Sequence, residues 1–385
     1  MTNLNIFRIL GRTQVIFKNY NKYSGLLQQL AKRSISANVT SQKTMETKVF
    51  QDALPSILDT LASSPRITQI PEVSTWIKKM VEYNLTGGKH SRGILTMCAY
   101  EMMEKPENVT EENLKLSKVL GWCMEMLQGY FIIIDDIMDG SSTRRGVPCW
   151  YRLPNVGLGA LNDSVLMTTC ITEILETYFV NTPHFNRLLR LFHETTLYTS
   201  MGQHLDYTMA HHTKQDYSLF TLERYDTIVK HKSSYYTFRL PVLLGLTLVK
   251  DVDNSVYAPI DDISFKLGKL FQMQDDYIDC FGDEAITGKA GTDIQEGKCT
   301  WLAVTFLRLC SESQRESFVK LYGSKDPEHV TAIKNMYIEL NIPEIYRNIE
   351  TELHDDIVKS VQDLSLETAH KFYHQVLNTL YKRIR

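Results

Sequence analysis

Apolar residues recur at helical spacing along most of the chain after residue 50. In segment 116–139 they alternate at steps of four and three residues and so share one helix face. Residues 262–279 repeat the pattern, and the alternation typical of strands is scarce, so the pattern predicts an all-α protein. The apolar positions are Leu120, Met124, Leu127, Phe131, Ile134 and Met138 in the first segment and Ile263, Leu267, Leu270 and Phe271 in the second.

Each of these two predicted helices ends in a cluster of aspartates, Asp-Asp-Ile-Met-Asp at 135–139 and Asp-Asp-Tyr-Ile-Asp at 275–279. The first and last carboxylates of each cluster are four residues apart, so they project from the same helix face. Like charges at that distance repel each other, and Mg²⁺ ions bound jointly with substrate phosphates would relieve the repulsion. A solvent-exposed acidic helix end is the simpler interpretation of either cluster taken alone.

Basic residues flank both aspartate clusters. Thr-Arg-Arg-Gly occupies 143–146, Lys289 and Lys298 follow the second cluster, and Gly-Gly-Lys-His-Ser-Arg-Gly occupies 87–93. Ordinary surface ion pairs would explain such residues, but Lys and Arg beside metal-binding carboxylates also suit a polyphosphate ester. The glycine-rich loop patterns of nucleotide-binding proteins do not occur in the sequence. The sequence therefore favours a polyphosphate ester as the ligand and gives no support to a nucleotide-binding loop.

Six sequence blocks in matching order give the chain a resemblance to a known family. They are GGKHSRG (87–93), LQGYFIIIDDIMDGSSTRRGVPCWY (127–151), GQHLD (202–206), VKHKSSYYTFRLP (229–241), FQMQDDYIDCFGD (271–283) and TGKAGTDIQEGKCTW (287–301). On these blocks the chain resembles the short-chain trans-isoprenyl diphosphate synthases, and among them the farnesyl diphosphate synthases of animal type. The resemblance implies a single large helical bundle in which two acidic helix ends face each other across a central cavity.

The resemblance also implies the reaction and its residues. The family joins isopentenyl diphosphate to dimethylallyl and then geranyl diphosphate by ionising the allylic ester with Mg²⁺, three ions being held when the allylic diphosphate is bound. By position in the motifs, the metal ligands are Asp135, Asp139 and Asp275, with Asp136, Asp276 and Asp279 around them; the allylic diphosphate is bound by Arg144, Lys232, Ser233, Gln272, Lys289 and Lys298; isopentenyl diphosphate is bound by Lys89, Arg92, Gln128 and Arg145; and Lys232, Ser233, Tyr236 and Gln272 face the developing carbocation.

The length of the product is predicted from two aromatic residues. Phe131 lies one turn before Asp135, about 6 Å along the helix at ~1.5 Å per residue, and Tyr130 adjoins it. Bulky rings there would close the pocket beneath the ionising carbon, and family members with paired aromatics at these positions stop at fifteen carbons. Two ordinary core aromatics would fit the same positions, because the floor of a pocket is also packing.

Four positions depart from the family's pattern. Ser233 replaces a Thr, Ser91 replaces an Asn, Arg239 replaces an aromatic residue, and Ile384 interrupts a basic C-terminus. These changes put chain length and turnover in question but not the reaction class. A geranyl diphosphate synthase, a terpene synthase and a non-catalytic partner subunit stay open as alternatives. The complete set of cations for isopentenyl diphosphate argues against the second, and the two intact aspartate clusters argue against the third.

Composition limits the partners and the compartment. A net charge of −3 without a basic, aromatic-rich stripe gives no sign of nucleic acid, and the longest apolar stretch, around 240–249, is about half of a membrane span. Seven cysteines without a C-x-x-C spacing favour a reducing compartment over disulfides or zinc. No linker or repeat interrupts the chain after residue 50. We therefore predict one catalytic domain, 46–385, and the family implies a homodimer.

The first 45 residues differ from the rest. They contain Lys, Arg, Ser and Thr, but no Asp or Glu occurs before Glu46. Basic, acid-poor, amphipathic N-termini are typical of mitochondrial transit peptides, so segment 1–45 is predicted to direct the enzyme to the matrix and to be removed there. A basic tail on a cytosolic enzyme is the alternative. Met45 is a second possible start and would give a cytosolic form.

Overall fold

The structure is a computed structural model that describes residues 47–211, 216–282 and 291–381. The chain forms two units, Met1–Asp52 and Ala53–Arg385. The described residues of the first unit are helical over 47–51. The predicted transit peptide lies outside the described residues, so its boundary with the catalytic domain stays a prediction.

Helices dominate the second unit. The longest are the first aspartate helix, Glu111–Met138, the helix Phe185–His211, and the second aspartate helix, Tyr257–Phe281. Among the described residues the only sheet is an antiparallel hairpin of Thr143–Arg144 with Val147–Pro148. The prediction of an all-α fold is confirmed. The other α-helices are Leu54–Ala62, Pro71–Leu85, Ser91–Met103, Ala160–Phe179, Leu222–Ile228, Leu240–Thr247, Asp293–Glu296, Trp301–Leu309, Glu312–Leu321, Pro327–Glu339, Ile342–Gln362 and Glu367–Tyr381.

The first aspartate helix runs from the core into the site. It begins at a capped end, where the Thr110 side chain accepts a hydrogen bond from a backbone N–H of the first turn. Leu120, Met124 and Leu127 are at most 1 % exposed, as the apolar periodicity predicts. Farther along the same face Phe131 is only half-buried. The C-terminal half of the helix therefore lies at the edge of the core, where its side chains are available to a ligand.

A π-helical segment, Val229–Arg239, packs very closely between two helices. A Cβ atom at Gly202 would lie 2.1 Å from the backbone N of Lys232, and one at Gly268 would lie 2.0 Å from Ser234 Oγ. Glycine is therefore required on both neighbouring helices for this approach. The π-helical turns are rare in proteins and often occur at functional sites. Here they carry three of the residues to which the sequence assigns catalytic roles.

An aromatic-rich cluster fills the C-terminal half of the unit. The rings of Phe306 and Tyr322 stack on Phe318 at centroid distances of 4.9 and 4.5 Å. Trp301 packs edge-on against Tyr346 in the same cluster. The cluster fixes the helix Trp301–Leu309, which follows Lys298, and places it beside the second aspartate helix. Within the described ranges, no helix is both long enough and apolar enough to cross a bilayer.

Candidate active site

The carboxylates of the first aspartate cluster face basic and amide side chains from other parts of the fold. Asp135 Oδ1 accepts a hydrogen bond from Gln203 Nε2 at 2.9 Å and lies 3.7 Å from Lys232 Nζ. Asp139 Oδ2 lies 3.7 Å from Lys298 Nζ. Burial raises the pKa of Asp139, and the positive charge of Lys298 opposes this shift. These contacts argue against a solvated acidic helix end.

Asp136, the middle carboxylate of the first cluster, orients Arg144. It is 2 % exposed, and its Oδ1 accepts hydrogen bonds from Arg144 Nε at 3.0 Å and from Nη2 at 2.5 Å. Burial would lower the pKa of Arg144, but the hydrogen bond and charge of Asp136 outweigh burial and raise it. Arg144 Nη2 also lies 3.7 Å from Asp135 Oδ2. The guanidinium is thus held beside the first cluster, where the sequence predicts the allylic diphosphate.

The middle aspartate of the second cluster is likewise buried. Asp276 is 3 % exposed and accepts hydrogen bonds from the Trp301 backbone N–H at 2.8 Å and from Gln272 Nε2 at 2.9 Å. Burial raises the pKa of Asp276 to about 7, although both hydrogen bonds oppose the shift. In both clusters, therefore, the middle carboxylate is buried and binds a neighbouring element.

Lys298 connects the ends of the two aspartate helices. Asp279 Oδ1 accepts a hydrogen bond from the Asp293 backbone N–H at 3.0 Å. Asp293 Oδ1 lies 4.0 Å from Lys298 Nζ, the same ammonium group that faces Asp139. Asp275, one turn before Asp279, is half-buried. Both clusters therefore border one network of charges.

Asp206 lies at the centre of this network. Lys232 Nζ donates a hydrogen bond to Asp206 Oδ2 at 2.5 Å. Burial would lower the pKa of Lys232, but the charges of Asp206 and Asp135 raise it instead. Burial would raise the pKa of Asp206, but Lys232 and Lys298 lower it instead. Both lysines stay charged at neutral pH and could bind an anionic ligand with their ammonium groups.

Sequence reasoning assigned no role to three residues of this network, Gln203, Asp206 and Asp293. Each lies inside one of the six matching blocks, so a signal was present. The contacts that give them a place depend on how the helix Phe185–His211 and the loop before Trp301 pack, which a single sequence does not reveal.

A chain of hydrogen bonds orients the predicted catalytic amide. Ser233 Oγ donates to Gln272 Oε1 at 2.8 Å, and Gln272 Nε2 donates to Asp276 Oδ1. Ser233 is 8 % exposed. Because Ser keeps the hydroxyl of the Thr usual at this position, the replacement preserves a donor for the amide.

Tyr236 joins the predicted substrate-binding residues. Its hydroxyl accepts a hydrogen bond from Arg92 Nη2 at 3.0 Å, and Arg92 Cζ lies 4.4 Å from its ring centroid. Arg92 Nη1 also donates to Gln128 Oε1 at 3.0 Å. The Phe131 ring lies 5.7 Å from Tyr236 and 4.8 Å from Tyr130. The structure therefore places the predicted chain-length pair, the predicted catalytic tyrosine and two residues predicted to bind isopentenyl diphosphate close together.

Arg145 lies at the tip of the hairpin with a left-handed backbone, φ 54°. Its Nη1 donates hydrogen bonds to the carbonyl oxygens of Asn84 at 3.0 Å and Thr86 at 3.2 Å. A Cβ atom at Gly88 would lie 2.8 Å from Arg145 Cζ, so glycine makes room for the guanidinium. Lys89 follows and is exposed. The hairpin tip and the Gly-Gly-Lys loop are thus adjacent.

Four positions that the sequence singled out remain, and the structure describes two of them. Arg239 Nε donates to Asp261 Oδ1 at 2.8 Å, and Arg239 Cζ lies 5.5 Å from the Tyr235 ring centroid, so the cation is paired where an aromatic is usual. Ser91 begins the helix Ser91–Met103. Lys289 and Ile384 lie outside the described residues.

The donor set fits a hard divalent cation. Asp135, Asp139 and Asp275 offer only carboxylate oxygens, the ligands that Mg²⁺ prefers. Ammonium groups already lie 3.7 Å from two of them, so these carboxylates accept cations as neighbours. In the described part of the chain, no three Asp, Glu, His or Cys side chains are arranged to hold a metal ion. Phosphate oxygens of a substrate would have to complete the coordination.

Comparisons with known proteins identify the family. A family model described as polyprenyl synthetase matches residues 74–340. The chain belongs to this family. A farnesyl pyrophosphate synthase of Nezara viridula is 36% identical over 383 residues, 98% of this chain and 92% of the relative. One of Murgantia histrionica is 40% identical over 314 residues, 82% of this chain and 77% of the relative. The family predicted from the six blocks is confirmed.

Further relatives extend the likeness to plants and to solved structures. Farnesyl pyrophosphate synthase 1, mitochondrial, of Arabidopsis thaliana is 33% identical over 379 residues, 98% of each chain. The structure of T. brucei farnesyl diphosphate synthase complexed with homorisedronate superposes with a TM-score of 0.82 at 31% identity. It covers 88% of this chain and is itself covered completely. The helical bundle is therefore the fold of this family.

Proposed function

We propose that the chain is a farnesyl diphosphate synthase, which condenses isopentenyl diphosphate with dimethylallyl diphosphate and then with geranyl diphosphate. One observation carries the proposal: the fold holds two separate groups of basic side chains, one at the first aspartate cluster and the other at Tyr236. Arg92 contacts the Tyr236 ring and hydroxyl, and Lys232 precedes Tyr236 by about one turn of the π-helical segment. A condensation of two diphosphate esters needs two such sets, whereas ionisation of a single ester needs one.

The basic residues beside the aspartates would stabilise the leaving group. As the allylic C–O bond breaks, negative charge develops on the diphosphate, and Arg144, Lys232 and Lys298 are fixed where they could bind it. Cations held in place by buried carboxylates do not have to reorganise during the reaction, which makes their stabilisation effective. Mg²⁺, as three ions held by the predicted aspartate ligands and the diphosphate, would supply Lewis-acid assistance to this departure.

The second set would bind isopentenyl diphosphate without a metal. Arg92 and Arg145 are fixed by hydrogen bonds, and both retain donors for a phosphate oxygen because a guanidinium has five. The Tyr236 hydroxyl and the Gln272 carbonyl oxygen carry negative dipoles that could stabilise the carbocation. Half-buried rings beside them would limit its contact with water.

Product analysis tests the proposal. The purified chain is incubated with Mg²⁺, isopentenyl diphosphate and either dimethylallyl or geranyl diphosphate, and the products are separated by chromatography. Farnesyl diphosphate from both starters is the expected result. Accumulation of geranyl diphosphate alone would favour a geranyl diphosphate synthase. Hydrocarbons formed without consumption of isopentenyl diphosphate would favour a terpene synthase.

We also propose that the enzyme is a homodimer. Two neighbouring helices, Ala160–Phe179 and Phe185–His211, expose several apolar side chains. Contact between such side chains and water is unfavourable, and a second copy of the chain would bury them. Leu161→Asp should therefore increase the monomer fraction in light scattering. Ile338→Asp, which changes an even more exposed apolar residue on another helix, should not. A monomeric wild type would contradict the proposal. The exposed residues on these helices are Leu161 at 46%, Val165 at 55%, Leu197 at 51% and Met201 at 48%, and Leu158, which precedes the first helix, is exposed to 70%.

The mitochondrial matrix is the proposed location. The basic, acid-free segment 1–45 supports it, and the Arabidopsis relative with the mitochondrial designation matches 98% of this chain. Translation from Met45 would give a cytosolic form of the same catalytic domain.

A further inference from the structure

We propose that Asp163 is a positioning residue for the isopentenyl diphosphate site. It is 5 % exposed, and its two carboxylate oxygens bind two indoles from distant parts of the chain. Oδ1 accepts a hydrogen bond from Trp76 Nε1 at 2.8 Å, and Oδ2 accepts one from Trp150 Nε1 at 2.9 Å. We name these three residues the indole clamp. The inference rests on the proposed function, since it concerns the binding of one of its two substrates.

The fold accommodates the buried charge of the clamp. A buried carboxylate requires hydrogen bonds or opposite charge to offset its lost hydration. Asp163 lies in the first turn of the helix Ala160–Phe179, where the helix dipole favours negative charge. Each of its oxygens also has an indole N–H donor. The carboxylate is therefore suited to hold both rings at once, which no apolar side chain of that size could do.

The clamp fastens the base of the hairpin to the helix Pro71–Leu85. Trp150 is 2 % exposed, and one residue separates it from the second hairpin strand. Its ring lies 5.7 Å from Trp76 and 5.2 Å from Tyr83, both on that helix. The Tyr83 hydroxyl donates a hydrogen bond to the Pro148 carbonyl oxygen at 2.7 Å. One helix therefore holds the hairpin through two indoles and one phenol.

This attachment sets the position of Arg145 relative to the Gly-Gly-Lys loop. The helix ends at Leu85, and Arg145 donates to the carbonyl oxygens of Asn84 and Thr86 at that end. Lys89 follows a few residues later, so a shift of the hairpin along the helix would separate the two cations. Arg144 is different, because buried Asp136 of the first aspartate helix holds it independently. Loss of the clamp should therefore affect isopentenyl diphosphate more than the allylic substrate.

Steady-state kinetics of Asp163→Asn test the inference. Asn keeps one acceptor oxygen but turns an NH₂ group towards the second indole N–H, so one arm of the clamp is lost. We expect the KM for isopentenyl diphosphate to rise about five- to tenfold, which is the size of effect expected from losing one net hydrogen bond. The KM for geranyl diphosphate and kcat should change less than about twofold, because Asp136 holds Arg144 without the clamp. Trp76→Phe, which removes one donor but keeps the ring contact, should give a smaller change in the same direction.

Ser64→Ala is the matched control. Ser64 Oγ donates a hydrogen bond to Glu173 Oε2 at 2.8 Å, and Glu173 lies on the same helix as Asp163. The variant should therefore lower Tm while the clamp stays unchanged. It should leave both KM values unchanged. Unchanged KM values in Asp163→Asn and Trp76→Phe, or equal rises for both substrates, would overturn the inference. Should Asp163→Asn fail to fold, Trp76→Phe decides. An inactive wild type would instead refute the proposed function.

Discussion

Replacing Phe131 with Ala should lengthen the product from fifteen to twenty carbons. The Phe131 ring is half-buried, stands one turn before Asp135, and contacts Tyr130 and Tyr236 at centroid distances of 4.8 and 5.7 Å. In the proposed arrangement the ionising carbon lies near Tyr236, so a growing tail would end against these rings. Removing one ring opens space for the tail along the first aspartate helix.

The size of the effect follows from the buried area. One added isoprene unit has five carbons, and its full burial contributes up to about 4 kcal/mol at about 0.8 kcal/mol per CH₂. Because the ring is only half-buried, we expect about half of this value, roughly 2 kcal/mol, to be realised. At 1.36 kcal/mol per factor of ten, the ratio of twenty- to fifteen-carbon product should rise about thirtyfold.

The assay compares products of the wild type, Phe131→Ala, Tyr130→Ala and the double variant under identical Mg²⁺. The double variant should shift the distribution farthest, since either ring alone still narrows the path. Phe265→Ala serves as the control, because its half-buried ring packs on Tyr235 away from this pair. An unchanged distribution in all three site variants would refute the assignment of the pocket floor.

Three further predictions test the metal site, the separate binding sites of the two substrates and the transit peptide. Asp135→Ala and Asp275→Ala should each lower kcat at least about a hundredfold at saturating Mg²⁺, because each loses a predicted metal ligand. The circular dichroism spectrum should stay unchanged. Near-normal turnover in both variants would refute the ligand assignment. Arg145→Ala should chiefly raise the KM for isopentenyl diphosphate and Arg144→Ala that for the allylic diphosphate; equal losses for both substrates would contradict separate sites. Residues 1–40 should carry a fluorescent reporter into mitochondria, and a diffuse cytosolic signal would show that they are only a tail.

The two aspartate helices were predictable because their information is local. Apolar periodicity fixes the helices, and the four-residue spacing fixes which carboxylates share a face. Leu120, Met124 and Leu127 are buried as that periodicity requires. The half-burial of Phe131 was not predictable from spacing, because the same apolar face continues from the core into the site.

Long-range contacts were beyond the sequence. The pairing of Lys232 with Asp206 depends on a π-helical segment, whose wider turns shift side chains off the α-helical register that periodicity assumes. The indole clamp joins two tryptophans from separate elements. In the sequence, each tryptophan alone is indistinguishable from an ordinary core residue. The four-residue spacing separates the middle aspartates from their neighbours, but the partners that Asp136 and Asp276 bind were not predictable from it.

The central claim is that the chain adds two isopentenyl units to a five-carbon starter and then stops. Mass spectrometry of the product made from unlabelled dimethylallyl diphosphate and ¹³C-labelled isopentenyl diphosphate measures this directly. The account predicts a fifteen-carbon product that carries two labelled units, with the singly labelled ten-carbon species appearing only in passing. A product with one labelled unit at the end of the reaction, or one with none, would contradict it.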